Sequence, residues 1–600
     1  MQATDVSNPD TFHKVIDCQW ACPAHTPVPE YIRRIAQGDY QGAYLINWKS
    51  NVFPGILGRT CDRPCEPACR RGRLDEQPIA ICRLKRVAAD GKGAIAGLLP
   101  KPPVERNGKR VACVGAGPAS LTVARDLAAV GYEVVAFESD SRAGGMMRSQ
   151  IPKFRLPEEV IDEEVGYALS TGATFVAGRR IASLKALLGE GWDAIFVGCG
   201  APHGRDLDIP GRGEASGNIR IGIEWLSSVF FAHTRTIGKR VVVLGGGNTA
   251  MDCCRTARRL GGAEVKVVVR SGYAEMKASP WEKEDAVHEG VEILNWLAPK
   301  AFTHDAGRLT GMTFEKVRAE KDEHGRRQLV PTGEPGVHIQ CDDVLIAVGQ
   351  ENAFPWIEAE LGMKLNRNGH PAVDPVTFAS SLPGVFFGGD AAFGPKNIIT
   401  AVAHGHEAAI SIDLWLQGRS LRDRPPPTTH LVSQKMGLHE WSYDSAITLD
   451  RRHVVPQVER AAALRNLRTE VELGFTLEQA LGEARRCLNC DVQTVFSAPA
   501  CIECDACVDV CPIDCISFVP NGPEDELRRA LNAPAVNLDQ PILVSEPVKS
   551  LRVMVKDEDL CLHCGLCADR CPTGAWDMQK FTIDMAQAGQ SCRSKRQTIS

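Results

Sequence analysis

One pattern near the carboxyl end constrains this chain more than any other. Cys501-x2-Cys504-x2-Cys507-x3-Cys511-Pro512 recurs as Cys561-x2-Cys564-x2-Cys567-x3-Cys571-Pro572. The x2 spacings let three thiolates reach three iron corners of one cube, while the Cys that precedes Pro points away and ligates the other cube. The spacing therefore assigns one [4Fe–4S] cluster to Cys501, Cys504, Cys507 and Cys571, and a second to Cys561, Cys564, Cys567 and Cys511. The alternative, a pair of zinc sites, prefers two separated Cys pairs per ion. Cys515 and Cys592 have no place in the pattern and read as spectators.

The chain has 600 residues, of which 23 are Cys. That length implies several domains. A net charge of −5 gives no sign of nucleic-acid binding. Residues 1–14 lack an apolar signal-peptide core, and no run approaches 18 uninterrupted apolar residues, so no membrane span is expected. A cytoplasmic location follows as the expectation. Reduced, clustered thiols there mean metal sites rather than disulfides.

The amino-terminal cysteines are less regular: Cys18-x3-Cys22-Pro23, Cys61-x3-Cys65-x3-Cys69, then Cys82. Six thiols are too few for two cubes and too many for one. Cys487-x2-Cys490 fits neither tail cluster, and adding it gives the eight thiols that two cubes need. A structural zinc site with free thiols is the alternative. Helical patterns fall at Pro29–Gln37 and Ile79–Ala89. Residues 421–450, with Pro425-Pro426-Pro427, read as a crossing linker, and Glu459 to Cys487 as helix broken near Gly474.

Two strand–glycine–helix units lie between the cysteine clusters. Arg110–Val114 reads as a strand, followed by Gly115-Ala116-Gly117-Pro118-Ala119-Ser120 and the helix Leu121–Val130. Such glycines permit a tight turn and bring backbone N–H groups and a helix N-terminus to a pyrophosphate. Glu138, at the end of the next apolar run Glu133–Phe137, stands where a carboxylate accepts ribose hydroxyls. Arg240–Leu244 repeats the plan with Gly245-Gly246-Gly247-Asn248-Thr249-Ala250 and the helix Met251–Leu260. Its second strand, Glu264–Val269, ends in Arg270, a partner for a 2′-phosphate, which favours NADP over NAD. A solvated Arg at a strand end is the other reading. A third element, Pro383–Asp390, ends in Gly388-Gly389-Asp390 and precedes a helical run, Thr400–Ile410. It resembles the stretch of two-nucleotide flavoproteins in which the Asp binds the flavin ribityl chain and the helix N-terminus faces the flavin. Val197–Gly200 and Ala347–Gln350 read as the crossings between the two nucleotide domains.

Together the stretches GAGPAS, AGGMMRSQIPKFRLP, VVVLGGGNTAMDCCRTA and GVFFGGDAA make residues 17–420 resemble the small (β) subunit of NADPH-dependent glutamate synthase. The tail resembles a bacterial two-cluster ferredoxin. The resemblance implies FAD, NADP(H) and two further [4Fe–4S] clusters in a helical amino-terminal domain, and it adds Gly145, Gly389, Asp390 and Thr400 to the flavin site. The family's first Cys-x2-Cys pair is absent at the amino terminus, and VELGFTLEQALGEARRCLNCD at 471–491 is similar to that missing piece. Residue by residue, the resemblance puts Cys18, Cys69, Cys487 and Cys490 on one cluster. Cys22, Cys61 and Cys65 go to another, with Cys82 as fourth ligand because position 57, a Cys in some members, is Leu57.

The expected fold is α/β and multidomain. A helical iron–sulfur domain (1–100) precedes two Rossmann-like domains, with FAD at 101–235 and 346–420 and NAD(P) at 236–345. A linker and helix (421–490) return Cys487 and Cys490, and a ferredoxin-like α+β domain with two [4Fe–4S] clusters spans 491–600. No redox Cys pair of the disulfide-reductase kind is present, so electrons should leave the flavin for clusters. The expected function is an NADP(H)-dependent oxidoreductase subunit that moves electrons between NADP(H) and a low-potential partner, a ferredoxin or a 2-oxoacid:acceptor oxidoreductase. The alternative is the small subunit of a glutamate synthase, whose ordinary form lacks the ferredoxin-like tail. The sixteen assigned thiolates correspond to about 16 Fe per chain, with one FAD. Anaerobic iron and flavin assay checks this, and zinc, or iron for only two clusters, would remove at least half of the assignment.

Overall fold

The computed structural model describes residues 1–6, 8, 16–435, 447–535, 538 and 541–590. The chain forms two compact units. One comprises Met1–Leu98, Asp423–Val455 and Gly474–Ser600, the other Leu99–Arg422 and Pro456–Leu473.

In the second unit the two glycine-rich segments open two parallel sheets. Their strands are runs of Val, Ile, Ala and Phe, the composition of strands buried on both faces. The first sheet has the order Val385–Phe387, Ala194–Val197, Arg110–Val114, Glu133–Phe137, Thr174–Val176, all parallel. The chain leaves it after Ala194–Val197, builds the second sheet, and re-enters it at Val385–Phe387. The second sheet runs Ile219–Ile221, Asp343–Ile346, Arg240–Leu244, Glu264–Val268, Glu292–Leu294, again all parallel. At the two crossings His203–Gly204 pairs antiparallel with Gln350–Glu351. An antiparallel ribbon, Leu297–Asp305 with Arg308–Lys321 and Val337–Gln340, covers one face of the second sheet. There Phe302, Met312 and Phe314 pack on Val242, Leu244 and Val344.

The helix Asn248–Arg259 covers the other face, and its far side carries buried charge. Arg255 and Arg259 both bond Glu289, and Arg155 pairs with Asp252 and Glu282. The ring of Phe154 lies under both arginines, with Arg259 3.6 Å from its centroid. Full pairing is what makes so many buried ions tolerable.

The first unit joins both ends of the chain. Helices Val28–Ala36, Tyr40–Asn51, Ile81–Gly91 and Leu477–Arg485 close around one core in which Tyr31, Ile32, Ala43, Leu84, Ala480 and Ala484 meet Phe581 of the tail. The tail itself holds two antiparallel sheets. One is Thr428–Ser433, Trp576–Asp584, Val492–Phe496, and the other is Ile516–Pro520, Arg552–Lys556, Leu543–Val544.

Two expectations change. Within 421–450, residues Thr428–Ser433 are a strand rather than linker. The β-branched pair Thr428–Thr429 and Val432 find an antiparallel partner in Trp576–Asp584. The rest of that expectation partly falls on 436–446, outside the described residues. The span Glu459 to Cys487, expected as helix broken near Gly474, is two short helices, Arg460–Ala463 and Leu477–Arg485, and the break reaches back to residue 464. Asn466 Oδ1 accepts the N–H groups of Arg468 and Thr469, which turns the backbone out of helix, and Val471 N–H bonds Phe154 C=O instead. The capping box Thr476–Gln479 then restarts the helix.

That helix is locked in place through Glu483, whose side chain is fully buried. Its carboxylate accepts the N–H groups of Ala80 and His453 and the Arg486 guanidinium, at 2.8, 2.9 and 2.8 Å. Arg486 in turn donates to the carbonyls of Gln77 and Asp450. Glu483→Ala removes the nearer carboxylate from the buried Arg486, leaving Asp75 at 3.3 Å, and strands two N–H groups. We expect it to cost about 3–5 kcal/mol, read as a lower thermal midpoint at fixed scan rate, with Glu483→Gln milder because it keeps an acceptor.

Candidate functional site

Gly115 holds φ +90° at the end of the strand Arg110–Val114, and a Cβ there would meet Gly198 O at 2.9 Å. The helix Pro118–Ala129 starts immediately after Gly117. A Cβ on Gly117 would touch nothing nearer than 4.0 Å, so open space lies over the loop. Gly145, φ +52°, approaches Gly117 so closely that a Cβ would stand 2.9 Å from its Cα. The Glu138 carboxylate folds back onto this loop and accepts from Ala116 N–H at 2.9 Å and Asp140 N–H at 3.2 Å. Pro118 and Ala119 open the helix, and Gly389 (φ +60°) packs against Ala119.

Asp390 accepts from Lys396 N–H, and burial raises its carboxyl above the ordinary value. A polar cavity lined by Arg205, Asn352, His370 and residues 392–395 continues from this turn. The helix expected from Thr400 begins at Ile398 and runs to Leu416. Thr400 N–H and Oγ1 are therefore both committed to the capping Asn397 Oδ1. His404 packs on Phe378 and Phe393, and burial pulls its pKa down to about 4. It is a neutral packing group, and His406 is paired to Asp126.

The second cradle has the same build. Gly245, φ +134°, admits no Cβ, which would lie 2.2 Å from Ala347 O. A Cβ on Gly247 would meet nothing within 4 Å. The helix begins at Asn248, whose Oδ1 accepts from Ser279 N–H at 2.9 Å, with Thr249 next. Gly246 packs against Val269 and Met276. Arg270 is exposed just past the strand Glu264–Val268.

The sixteen candidate ligand cysteines are all free thiols. Three small cavities gather twelve of them. Cys18, Cys69, Cys487 and Cys490 line one, with Asp17, Arg70 and Arg71. Cys501, Cys504, Cys507 and Cys571 line another, with Phe496, Phe518 and Trp576. Cys511, Cys561, Cys564 and Cys567 line the third. Cys22, Cys61, Cys65 and Cys82 are all buried and all act on the buried ammonium of Lys85. Burial alone would lower the Lys85 pKa, but these four sulfurs, as thiolates, raise it above its ordinary value. Each group of four meets the demand of a [4Fe–4S] cube for four sulfur donors.

Burial pushes the Cys487 thiol up to about 12, offset in part by the N–H of Asn489, and pushes Cys61 to about 12. Burial thus disfavours the bare thiolates of Cys487 and Cys61, and an iron cluster is the partner that makes them favourable.

One backbone device recurs. The N–H groups of Arg63, His563 and Glu503 donate to the sulfurs of Cys61, Cys561 and Cys501 at 3.3–3.4 Å. Asn489 does the same for Cys487. All four donors are left-handed, with φ between +47° and +59°.

Sequence reasoning missed Lys85 and Arg70, because an Arg- and Lys-rich segment does not reveal which cation faces a cavity. It also set Cys515 aside. Cys515 lines the third cavity, 3.6 Å from Cys511, and its hydrogen bond holds the Cys511 thiol down at about 6. Cys592 lies outside the described residues.

Comparisons with known proteins follow the same division. Residues 109–405 match the pyridine nucleotide-disulphide oxidoreductase family, 13–95 the dihydropyrimidine dehydrogenase domain II, 4Fe-4S cluster family, and 500–575 the 4Fe-4S dicluster domain family. The NADP(+)-dependent formate dehydrogenase subunit beta of Moorella thermoacetica is 35% identical over 79% of this chain and 70% of its own. The NADPH-Fe(3+) oxidoreductase subunit beta of Geobacter sulfurreducens is 30% identical over 81% and 77%. The glutamate synthase [NADPH] small chain of Azospirillum brasilense is 33% identical over 67% and 87%.

If Arg270 holds a 2′-phosphate, Arg270→Glu should cut kcat/KM for NADPH roughly 10- to 100-fold more than for NADH, the loss of one charge-assisted hydrogen bond of about 1.5–3 kcal/mol. Equal falls for the two nucleotides would show that Arg270 does not discriminate.

Proposed function

Because the chain belongs to the NADP-dependent FAD/iron–sulfur oxidoreductases, the family of the glutamate synthase small chain, we propose that it carries four [4Fe–4S] clusters and serves a partner of low potential. The observation that carries this reading is the gathering of sixteen thiols into four groups of four in a chain that also has two glycine cradles with room for a nucleotide.

The bound cofactors supply exchange of an electron pair between nicotinamide and flavin and its division into single electrons. The residues do the binding and orienting. Gly115 to Ala119 and Gly145 leave room for a pyrophosphate at the Pro118 helix end, while Glu138 braces that loop. Gly389, packed on Ala119, and the buried Asp390 stand where a flavin ribityl chain would be held. Gly245 to Thr249 offer the nicotinamide nucleotide the same cradle, with Arg270 free to reach a 2′-phosphate. Cys18, Cys69, Cys487 and Cys490 hold one cluster, and Cys22, Cys61, Cys65 and Cys82 the next. The tail residues Cys501, Cys504, Cys507 and Cys571 hold the third, and Cys511, Cys561, Cys564 and Cys567 the fourth. No acid or base is required of the chain, since close stacking and orientation suffice for nicotinamide–flavin exchange.

A redox partner protein is implied, as relatives are subunits of larger enzymes. We read that partner as a ferredoxin or the catalytic subunit of a 2-oxoacid:acceptor oxidoreductase, in the cytoplasm, where thiols stay reduced. A glutamate synthase large subunit is the second reading. The match to the small chain favours it, and the additional ferredoxin-like tail weighs against it.

The pair Cys487 and Cys490 gives the sharpest test. Cys487→Ser in the full chain should lose one cluster, about 4 Fe, and loosen residues 16–30, while the tail clusters keep their EPR signals. Unchanged iron would remove Cys487 from the site. Bleaching of bound flavin by NADPH, and the identity of the co-purifying subunit, test the rest.

A further inference from the structure

Arg70 stands between two of the thiol cavities within the first unit. It follows Cys69 directly, lines the cavity of Cys18, Cys69, Cys487 and Cys490, and is 2% exposed. Its Nε and Nη2 donate to Asp17 Oδ2, beside Cys18, at 3.3 and 3.1 Å. Its Nη1 turns to the tail, donating to the carbonyl of Cys561 at 3.3 Å and lying 2.7 Å from His563 Nε2. A guanidinium has no acceptor, so His563 Nε2 accepts and its Nδ1–H donates to Val492 C=O at 3.2 Å. One side chain thus bonds the neighbours of ligands in both cavities. Arg73 adds a second strut, reaching Asp17 Oδ1 at 3.5 Å and Asp559 Oδ1 at 2.9 Å.

The other tail cavity differs. Phe496, Phe518 and Trp576 line it together with loop residues 501–507, and none of its lining residues comes from the amino-terminal domain. It opens outward, where Cys504 is exposed and Ile502 is 52% exposed.

We propose that Arg70 is a positioning residue that makes the Cys18/Cys69/Cys487/Cys490 site and the Cys511/Cys561/Cys564/Cys567 site consecutive stations, leaving the Cys501/Cys504/Cys507/Cys571 site as the outer terminus toward the partner. The inference rests on the cluster assignment above. Each passage moves one electron. The amino-terminal site is oxidised as the Cys561 site is reduced, and the Cys561 site is then oxidised as the Cys501 site is reduced. No bond breaks and no proton moves. NADPH supplies the electrons and the partner takes them, and the reverse flow uses the same order.

The test uses the full-length holoprotein with Arg70→Met, Arg70→Lys and Cys504→Ser. Iron assay and EPR first count the clusters. Arg70→Met should keep all four, with Arg70→Lys read in its place if it does not, and Cys504→Ser should lose the outer one, any other loss there overturning the assignment and the order with it. With the expected counts, freeze-quench EPR after NADPH addition reads the order. In Arg70→Met the amino-terminal signals should appear at the wild-type rate and the tail signals late, with altered spin-coupling between the two neighbouring sites. Arg70→Lys, which keeps a cation and a donor, should recover part of the tail rate. In Cys504→Ser the remaining three sites should still reduce at the wild-type rate, while reduction of added cytochrome c falls. Unchanged tail reduction and coupling in Arg70→Met would overturn the role of Arg70. Loss of reduction at the Cys561 site in Cys504→Ser would reverse the order, and this arm decides even if Arg70→Met does not fold.

Discussion

The meeting of Cys18 and Cys69 with Cys487 and Cys490 is the constraint from which the architecture follows. Two thiols come from one end of the chain and two from the other, so both ends must belong to one compact unit. The nucleotide-binding half is then an insertion between them, as the division of the chain shows. Cysteines alone cannot hold this closure before any cluster is bound. The work is done by the buried pair Glu483 and Arg486, which bond Ala80 and Gln77 on one side and His453 and Asp450 on the other. Ala480 and Ala484 complete it by entering the same core as Tyr31 and Leu84. Closure therefore rests first on packing and paired charge, and a bound cluster adds to a site already shaped.

The same local solution appears four times, twice at equivalent positions of the repeated tail motif and twice in the amino-terminal sites. Arg63, Asn489, Glu503 and His563 each sit two residues after a cysteine, in the left-handed region, with the N–H aimed at that cysteine's sulfur. Only Asn among them tolerates this conformation well, so the others carry strain of order 1 kcal/mol. An N–H directed at a sulfur stabilises its thiolate, and hydrogen bonds to the sulfurs are among the levers that set a cluster's potential. The strain is local and the gain is electrostatic, which is why the turn survives with four different side chains.

Much of this was legible in the chain itself. The strands Arg110–Val114, Glu133–Phe137 and Arg240–Leu244 stand at the expected residues, because β-branched runs before a glycine turn leave few alternatives. That Cys487 and Cys490 belong with the amino-terminal cysteines was legible by count, and their grouping with Cys18 and Cys69 by the family resemblance. The strand Thr428–Ser433 was not, since its partner lies far along the chain and three prolines precede it. The break after Ala463 was hidden for a related reason. The apolar pattern around Val471 suits a helix, but an Asx turn and a backbone bond to Phe154 decide otherwise. Arg70, Lys85 and Cys515 escaped because burial, not residue type, gives them their place.

Those buried cations order the thiol groups. Lys85 faces Cys22, Cys61, Cys65 and Cys82; Arg70 lies beside Cys490; Lys556, 1% exposed, acts on Cys561 and Cys567. At the fourth group the Glu503 carboxylate acts on Cys501 while it pairs with Arg552, and Cys504 meets solvent. Reduction adds negative charge to a site. A desolvated cation lowers that cost and a carboxylate raises it, more strongly where water is excluded. What sets the fourth group apart is exposure, since Cys504 is the ligand cysteine that solvent, or a partner, can reach.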